Sequence, residues 1–138
     1  MSKIRTCIDA NVIIITFKAA ELDFRARKAY DFFKDPTRLF LYSDYLWLEV
    51  LPKPIFFKEP KRILYINKLF EQSEKILTSQ ATIDKAINLA SNYGLSAMDA
   101  LHAATAIEGK ADEFVTFEKP AKPFFLHSII RNSYCFFE

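Results

Sequence analysis

Apolar residues fall along this chain in short runs that alternate with helical stripes. Ile4 to Ile8 is a β-rich run, and Val12-Ile13-Ile14-Ile15 follows closely behind Asp9-Ala10-Asn11. The spacing predicts a strand, an acidic turn and a helix, with Asn11 suited to cap that helix. A second helical stretch runs from about Glu21 to Lys34 and is stopped by Asp35-Pro36. Arg38 to Tyr42 reads as a second strand. Ser43 then caps a short helix, Asp44 to Leu51, which Pro52 and Pro54 keep from running further. From Lys61 to about Leu77 the residues Ile63, Ile66, Leu69, Phe70 and Leu77 recur at helical spacing, and Thr82 to Tyr93 repeats the habit before Gly94 closes it. Ser96 opens a further helix that ends at Gly109. Phe114 to Phe117 is a third strand, and Tyr134 to Phe137 is a candidate for a last one.

Parallel neighbours in a sheet need long crossovers, and helices between strands supply them. The expected fold class is therefore α/β, three-layered, with a central mainly parallel sheet flanked by helices. In such sheets ligands bind beyond the carboxyl ends of the strands, so the residues just past each strand come first for chemistry. Asp9 directly follows the first strand, Glu49 lies in the helix after the second, Asp99 sits in the first turn of the Ser96 helix, and Glu118 directly follows the third strand. Taken singly, each acid has a plainer use. Asp9 fits a turn, Glu49 a solvated helix face, Asp99 a capping box Ser96-Ala97-Met98-Asp99, and Glu118 a polar turn before Pro120. Taken together they are costly, because two carboxylates about 4 Å apart repel by about 4 kcal/mol at an effective dielectric near 20. Converging acids need a cation, and an all-oxygen set suits Mg²⁺ or Mn²⁺ rather than zinc.

Composition narrows the classes without choosing among them. A length of 138 residues fits a single domain over residues 1–138, and 51% hydrophobic content with 14 Phe excludes a disordered protein. No stretch approaches the roughly 20 uncharged apolar residues of a membrane span, and no secretory signal follows Met1, so a cytoplasmic home is expected. Cys7 and Cys135 stand far apart without metal-site spacing and read as reduced thiols. The net charge of +2 says little about nucleic acid, and the short basic clusters at Arg25 to Lys28, Lys58 to Arg62, and Lys119 with Lys122 fit solvated surface at least as well as phosphate contacts. Two glycines cannot build a Gly-rich phosphate loop, which excludes a dinucleotide-binding domain.

Four segments in order resemble the PIN-domain family and, within it, the VapC toxins of bacterial toxin–antitoxin pairs. They are Ile8-Asp9-Ala10-Asn11-Val12, Ser43-Asp44-Tyr45-Leu46-Trp47-Leu48-Glu49-Val50, the stretch from Gly94 through Asp99-Ala100-Leu101-His102 to Ala106, and Asp112-Glu113-Phe114-Val115-Thr116-Phe117-Glu118. The resemblance implies an endoribonuclease that uses Mg²⁺ or Mn²⁺, with Asp9, Glu49, Asp99 and Glu118 as the catalytic and metal-holding acids. Asn11, Thr116 and Ser43 would support them by hydrogen bonding. It further implies RNA as substrate, tRNA being one candidate, a cognate antitoxin as partner, a homodimer, and no membrane. Glu118 departs from the Asp usual in the family, which leaves a second reading open: a PIN-fold module that binds RNA or protein without cutting. Saturable Mn²⁺ binding separates the two. His102 is given no catalytic role.

Overall fold

The structure, a computed structural model, describes residues 2–17, 23–116 and 133–135. The first strand, β1 (Ile4–Ile8), passes directly into helix α1 (Ala10–Ile15), and α2 (Phe24–Phe32) leads to β2 (Arg38–Tyr42). Helices α3 (Asp44–Val50), α4 (Pro52–Phe56) and α5 (Pro60–Glu71) follow, then β3 (Glu74–Lys75), α6 (Gln80–Tyr93), α7 (Ala97–Glu108), β4 (Glu113–Thr116) and β5 (Ser133–Cys135). The strands form one sheet in the order β3-β2-β1-β4-β5, and every neighbouring pair is parallel. The expected α/β architecture is the one observed.

Three layers follow from the pleat, since successive residues of a strand face opposite sides of a sheet. Ile8, Phe40 and Val115 pack with α1, α2, α3 and α5 through Val12, Ile13, Ala29, Leu46, Val50, Ile66, Leu69 and Phe70. Their strand neighbours Cys7 and Phe114 pack on the other face with α6 and α7 through Ala86, Ala100, Ala103, Ala104 and Ala106. The alanines of α7 let that helix lie close to the sheet, and the burial pushes the Cys7 thiol up to about 12, so it stays protonated and inert. Cys135 contributes backbone to β5, and its side chain lies outside the described residues.

Several elements differ from the pattern read along the chain. Asn11 is not a cap: the cap position belongs to Asp9, and Asn11 lies inside the first turn. Helix α3 ends at Val50, as Pro52 and Pro54 imply, but Pro52 also opens α4 as that helix's first residue, where a missing N–H costs no bond. The Lys61-to-Leu77 periodicity stops at Glu71, and Glu74-Lys75 leaves the helix to pair with Leu41 and Tyr42 at the sheet edge. Ile76 then donates its N–H to the Tyr42 carbonyl at 2.7 Å. Helix α2 is capped by Asp23, whose Oδ1 accepts from Arg25 N–H at 2.9 Å and Ala26 N–H at 3.2 Å, and Glu21 lies outside the described residues. The third predicted strand begins one residue earlier, at Glu113, and the last one residue earlier, at Ser133; Phe117, Phe136 and Phe137 lie outside the described residues. No helix among the described residues is long and apolar enough to cross a membrane.

Gly109 ends α7 at an ordinary φ of −77°, so chain reversal does not demand glycine there. Close packing does. A Cβ would lie 2.9 Å from Ile76 Cδ1 and 3.2 Å from the Thr105 carbonyl oxygen. Gly109→Ala should destabilise the fold by about 1–3 kcal/mol through overpacking, and adding Ile76→Val should recover part of the loss. Urea unfolding of the two variants measures both effects.

Candidate metal centre

Asp9 occupies the joint between β1 and α1. Its N–H donates to the Val115 carbonyl of β4 at 3.0 Å, and its own carbonyl accepts from Val12 N–H at 3.1 Å, so its backbone is held on both sides. Although it stands at the cap position of α1, its carboxylate makes no cap bond. Instead Oδ2 accepts from the Thr116 hydroxyl at 3.0 Å. The location is where the sheet's order reverses: from β1 the chain builds outward to β2 and β3, then returns to place β4 on the other side. Crevices at such points are where open α/β sheets take ligands.

Two other elements bring acids to the same place. Glu49 projects from α3 and Asp99 from the first turn of α7, and with Asp9, Ala10, Asn11 and Ile14 they line a cleft of about 290 Å³. Only the Ser96 half of the expected capping box forms, the Ser96 hydroxyl accepting from Asp99 N–H at 3.3 Å. Ser43 follows β2 as Asp9 follows β1, in the register that pairs Cys7 with Leu41. It holds the cap position of α3, yet its hydroxyl makes no cap bond and is buried without a hydrogen-bond partner among the described residues. Glu118 lies outside the described residues.

Electrostatics single out Asp9, which is 8% exposed. Burial pushes its carboxyl above the ordinary value of 3.8, with the Glu49 and Asp99 charges adding to the rise, while His102 and the Thr116 hydroxyl oppose it. Here His102 enters as a residue that periodicity had left to the helix core. Its Nε2 lies 3.1 Å from Glu49 Oε2, and donor atoms of Asp9, Glu49 and His102 all fall within 4.8 Å of one another. Spacing alone places His102 on the Asp99 face of α7, three residues on, but its contact is with a glutamate 53 positions away. The donors suit a divalent cation: carboxylate oxygens on two elements, a buried charge that is costly without compensation, and an open cleft for solvent ligands.

Among known proteins, the family model described as "PIN domain" matches residues 6–121. No curated protein matches the sequence. Several solved structures share the fold, among them the three that follow. VapBC2 from Rickettsia felis, bound to a DNA fragment from its promoter, superposes with a TM-score of 0.67 at 13% identity, covering 95% of this chain and 99% of that one. FitAcB from Neisseria gonorrhoeae gives 0.63 at 16%, covering 96% and 99%, and a toxin–antitoxin complex from Klebsiella pneumoniae gives 0.60 at 21%, covering 82% and 86%.

Proposed function

The chain belongs to the PIN-domain family, and from that premise we propose that it is a divalent-metal-dependent endoribonuclease, the toxin component of a type II toxin–antitoxin pair acting in the cytoplasm. The observation that carries the reading is the buried Asp9 carboxylate, left out of helix capping and facing Glu49 and Asp99 across one cleft at the sheet's reversal point.

Asp9, Asp99 and Glu118 would hold Mg²⁺ or Mn²⁺, with Glu49 completing the shell or orienting the attacking water. Such an ion, when bound, neutralises charge on the phosphoryl oxygens and makes a bound water acidic enough to attack at neutral pH. The chain's own part is placement. Thr116 orients the Asp9 carboxylate by donating to Oδ2, the backbone bonds at Asp9 fix its Cα between β1 and β4, and Asn11 at the cleft rim offers an amide to the RNA or to a water. Ser43, first beyond β2, supplies a further hydroxyl beside this end of the sheet.

Support for an antitoxin partner comes from the toxin–antitoxin assemblies among the structural neighbours and from the surface of α3 and α4. Leu48, Ile55, Phe56 and Phe57 are each more than half exposed there, an apolar patch of the kind that marks a protein interface or a dimer contact. The test is incubation of the purified protein with a tRNA pool and Mn²⁺, with chelator and Asp9→Asn controls. Discrete fragments that need metal are expected. Intact tRNA and mixed RNA at all metal concentrations, with Mn²⁺ failing to bind, would favour a non-cutting PIN module.

A further inference from the structure

Helix α7 is buried nearly all round, and most of what it buries is small: Ala100, Ala103, Ala104 and Ala106. His102 is the large polar exception. It is 4% exposed, and its Nε2 meets Glu49 Oε2 at 3.1 Å. Glu49 is the looser partner, its side chain 25% exposed at the cleft. A glutamate side chain has three rotatable bonds and loses rotamer freedom when fixed, so something must hold it if it is to wait in one geometry. A carboxylate only accepts hydrogen bonds, so Nε2 carries the hydrogen in this contact, and a nitrogen that donates has no lone pair left for a metal. The bond occupies one Glu49 oxygen and leaves the other free for an ion or its water.

We propose that His102 is a positioning residue that locks the Glu49 carboxylate toward Asp9, so that the metal centre is assembled before the ion arrives. This rests on the metal-dependent reading given above. The role is that of an outer partner to a metal-site carboxylate, whose removal typically weakens metal affinity by about 10–100-fold. The imidazole acts through Glu49 and not on the ion.

Calorimetric titration of Mn²⁺ into the wild type, His102→Gln, His102→Asn, Glu49→Gln and the double variant Glu49→Gln/His102→Asn provides the test. Gln places its amide nitrogen about where Nε2 stands, whereas Asn is one methylene too short. H102N should therefore bind Mn²⁺ about 10–100-fold more weakly, and H102Q should regain most of the loss. In the E49Q background H102N should add almost nothing, since residues acting as one unit are non-additive. H102A, matching the alanines around it, takes the place of H102N should that variant fail to fold. An equal loss from H102N with and without Glu49 overturns the proposal. So does a ¹⁴N coupling in pulsed electron paramagnetic resonance of the Mn²⁺-loaded wild type that disappears in H102Q and survives in His127→Gln, which would make His102 a ligand. Tight Mn²⁺ binding unchanged in H102N sinks the positioning role alone, while no Mn²⁺ binding by the wild type sinks the metal-centre reading and this one with it.

Discussion

Asp9→Asn should abolish RNA cleavage, by about three orders of magnitude if its loss resembles removal of one charge-stabilising group from other active sites, and yet should raise the melting temperature of the metal-free protein at neutral pH. The two effects have one cause. Burial and the Glu49 and Asp99 charges lift the Asp9 carboxyl above 3.8 in the folded chain, so folding favours its protonated form. The stability contributed by a neutral Asp9 is complete below 3.8 and is lost as the pH rises through the folded value, above which the group is ionised and poorly solvated. Asparagine keeps the shape and can still accept from Thr116, but carries no charge at any pH. The advantage of D9N should therefore be widest near neutrality and shrink as the pH falls toward 3.8. Adding Mn²⁺ should reverse the order, because a ligand at 100 times its dissociation constant stabilises the protein that binds it by about 2.7 kcal/mol. Thermal melts of both proteins across pH, with and without Mn²⁺, measure this. A D9N protein that melts lower than wild type without metal, or cuts RNA as fast, contradicts the assignment.

The largest effect on stability is expected at the other end of the same strands. Glu113 is 3% exposed, and its Oε1 accepts from Arg38 Nε at 2.6 Å and from the Thr6 hydroxyl at 2.7 Å. Arg38 also pairs with Asp35 and lies over the Phe32 ring, 4.7 Å from its centre. Taking one partner from a buried ion pair leaves the other charge uncompensated and costs about 3–5 kcal/mol. Arg38→Met should lose that much in urea unfolding, and the melting temperature should fall by about 10–20 °C for a chain of this length. The paired change Arg38→Met/Glu113→Leu should recover most of the loss, since an apolar pair of similar volume needs no counter-charge. A single variant within about 1 kcal/mol of wild type would show that Glu113 finds compensation elsewhere.

The strands and helices were legible wherever a period ran long enough to be unambiguous. β1, β2, α6 and α7 lie within about two residues of where alternation, caps and glycines put them. Misreadings came where neighbours in space overrode the local pattern. Leu77 continues a helical period after Phe70, yet Glu74 and Lys75 answer instead to the open edge of β2, whose backbone groups needed partners. Pro52 reads as a stop, and α3 does end at Val50, but the same residue also starts α4, since a residue at the first position of a helix has no intrahelical N–H bond to lose.

What the sequence determined by itself was local: an α/β alternation, and acids placed just after strands or in the turns and helices that follow them. Tertiary structure alone decided which of those acids meet. Strand order is chosen by how the two faces of the sheet can be buried, a property of the whole chain that no short window contains. It is that order, with β1 between β2 and β4, that sets Asp9 beside Thr116. The packing of α3 against α7 then turned a histidine within an alanine-rich helix into the neighbour of Glu49, because a hydrogen bond depends on positions in space and not on distance along the chain.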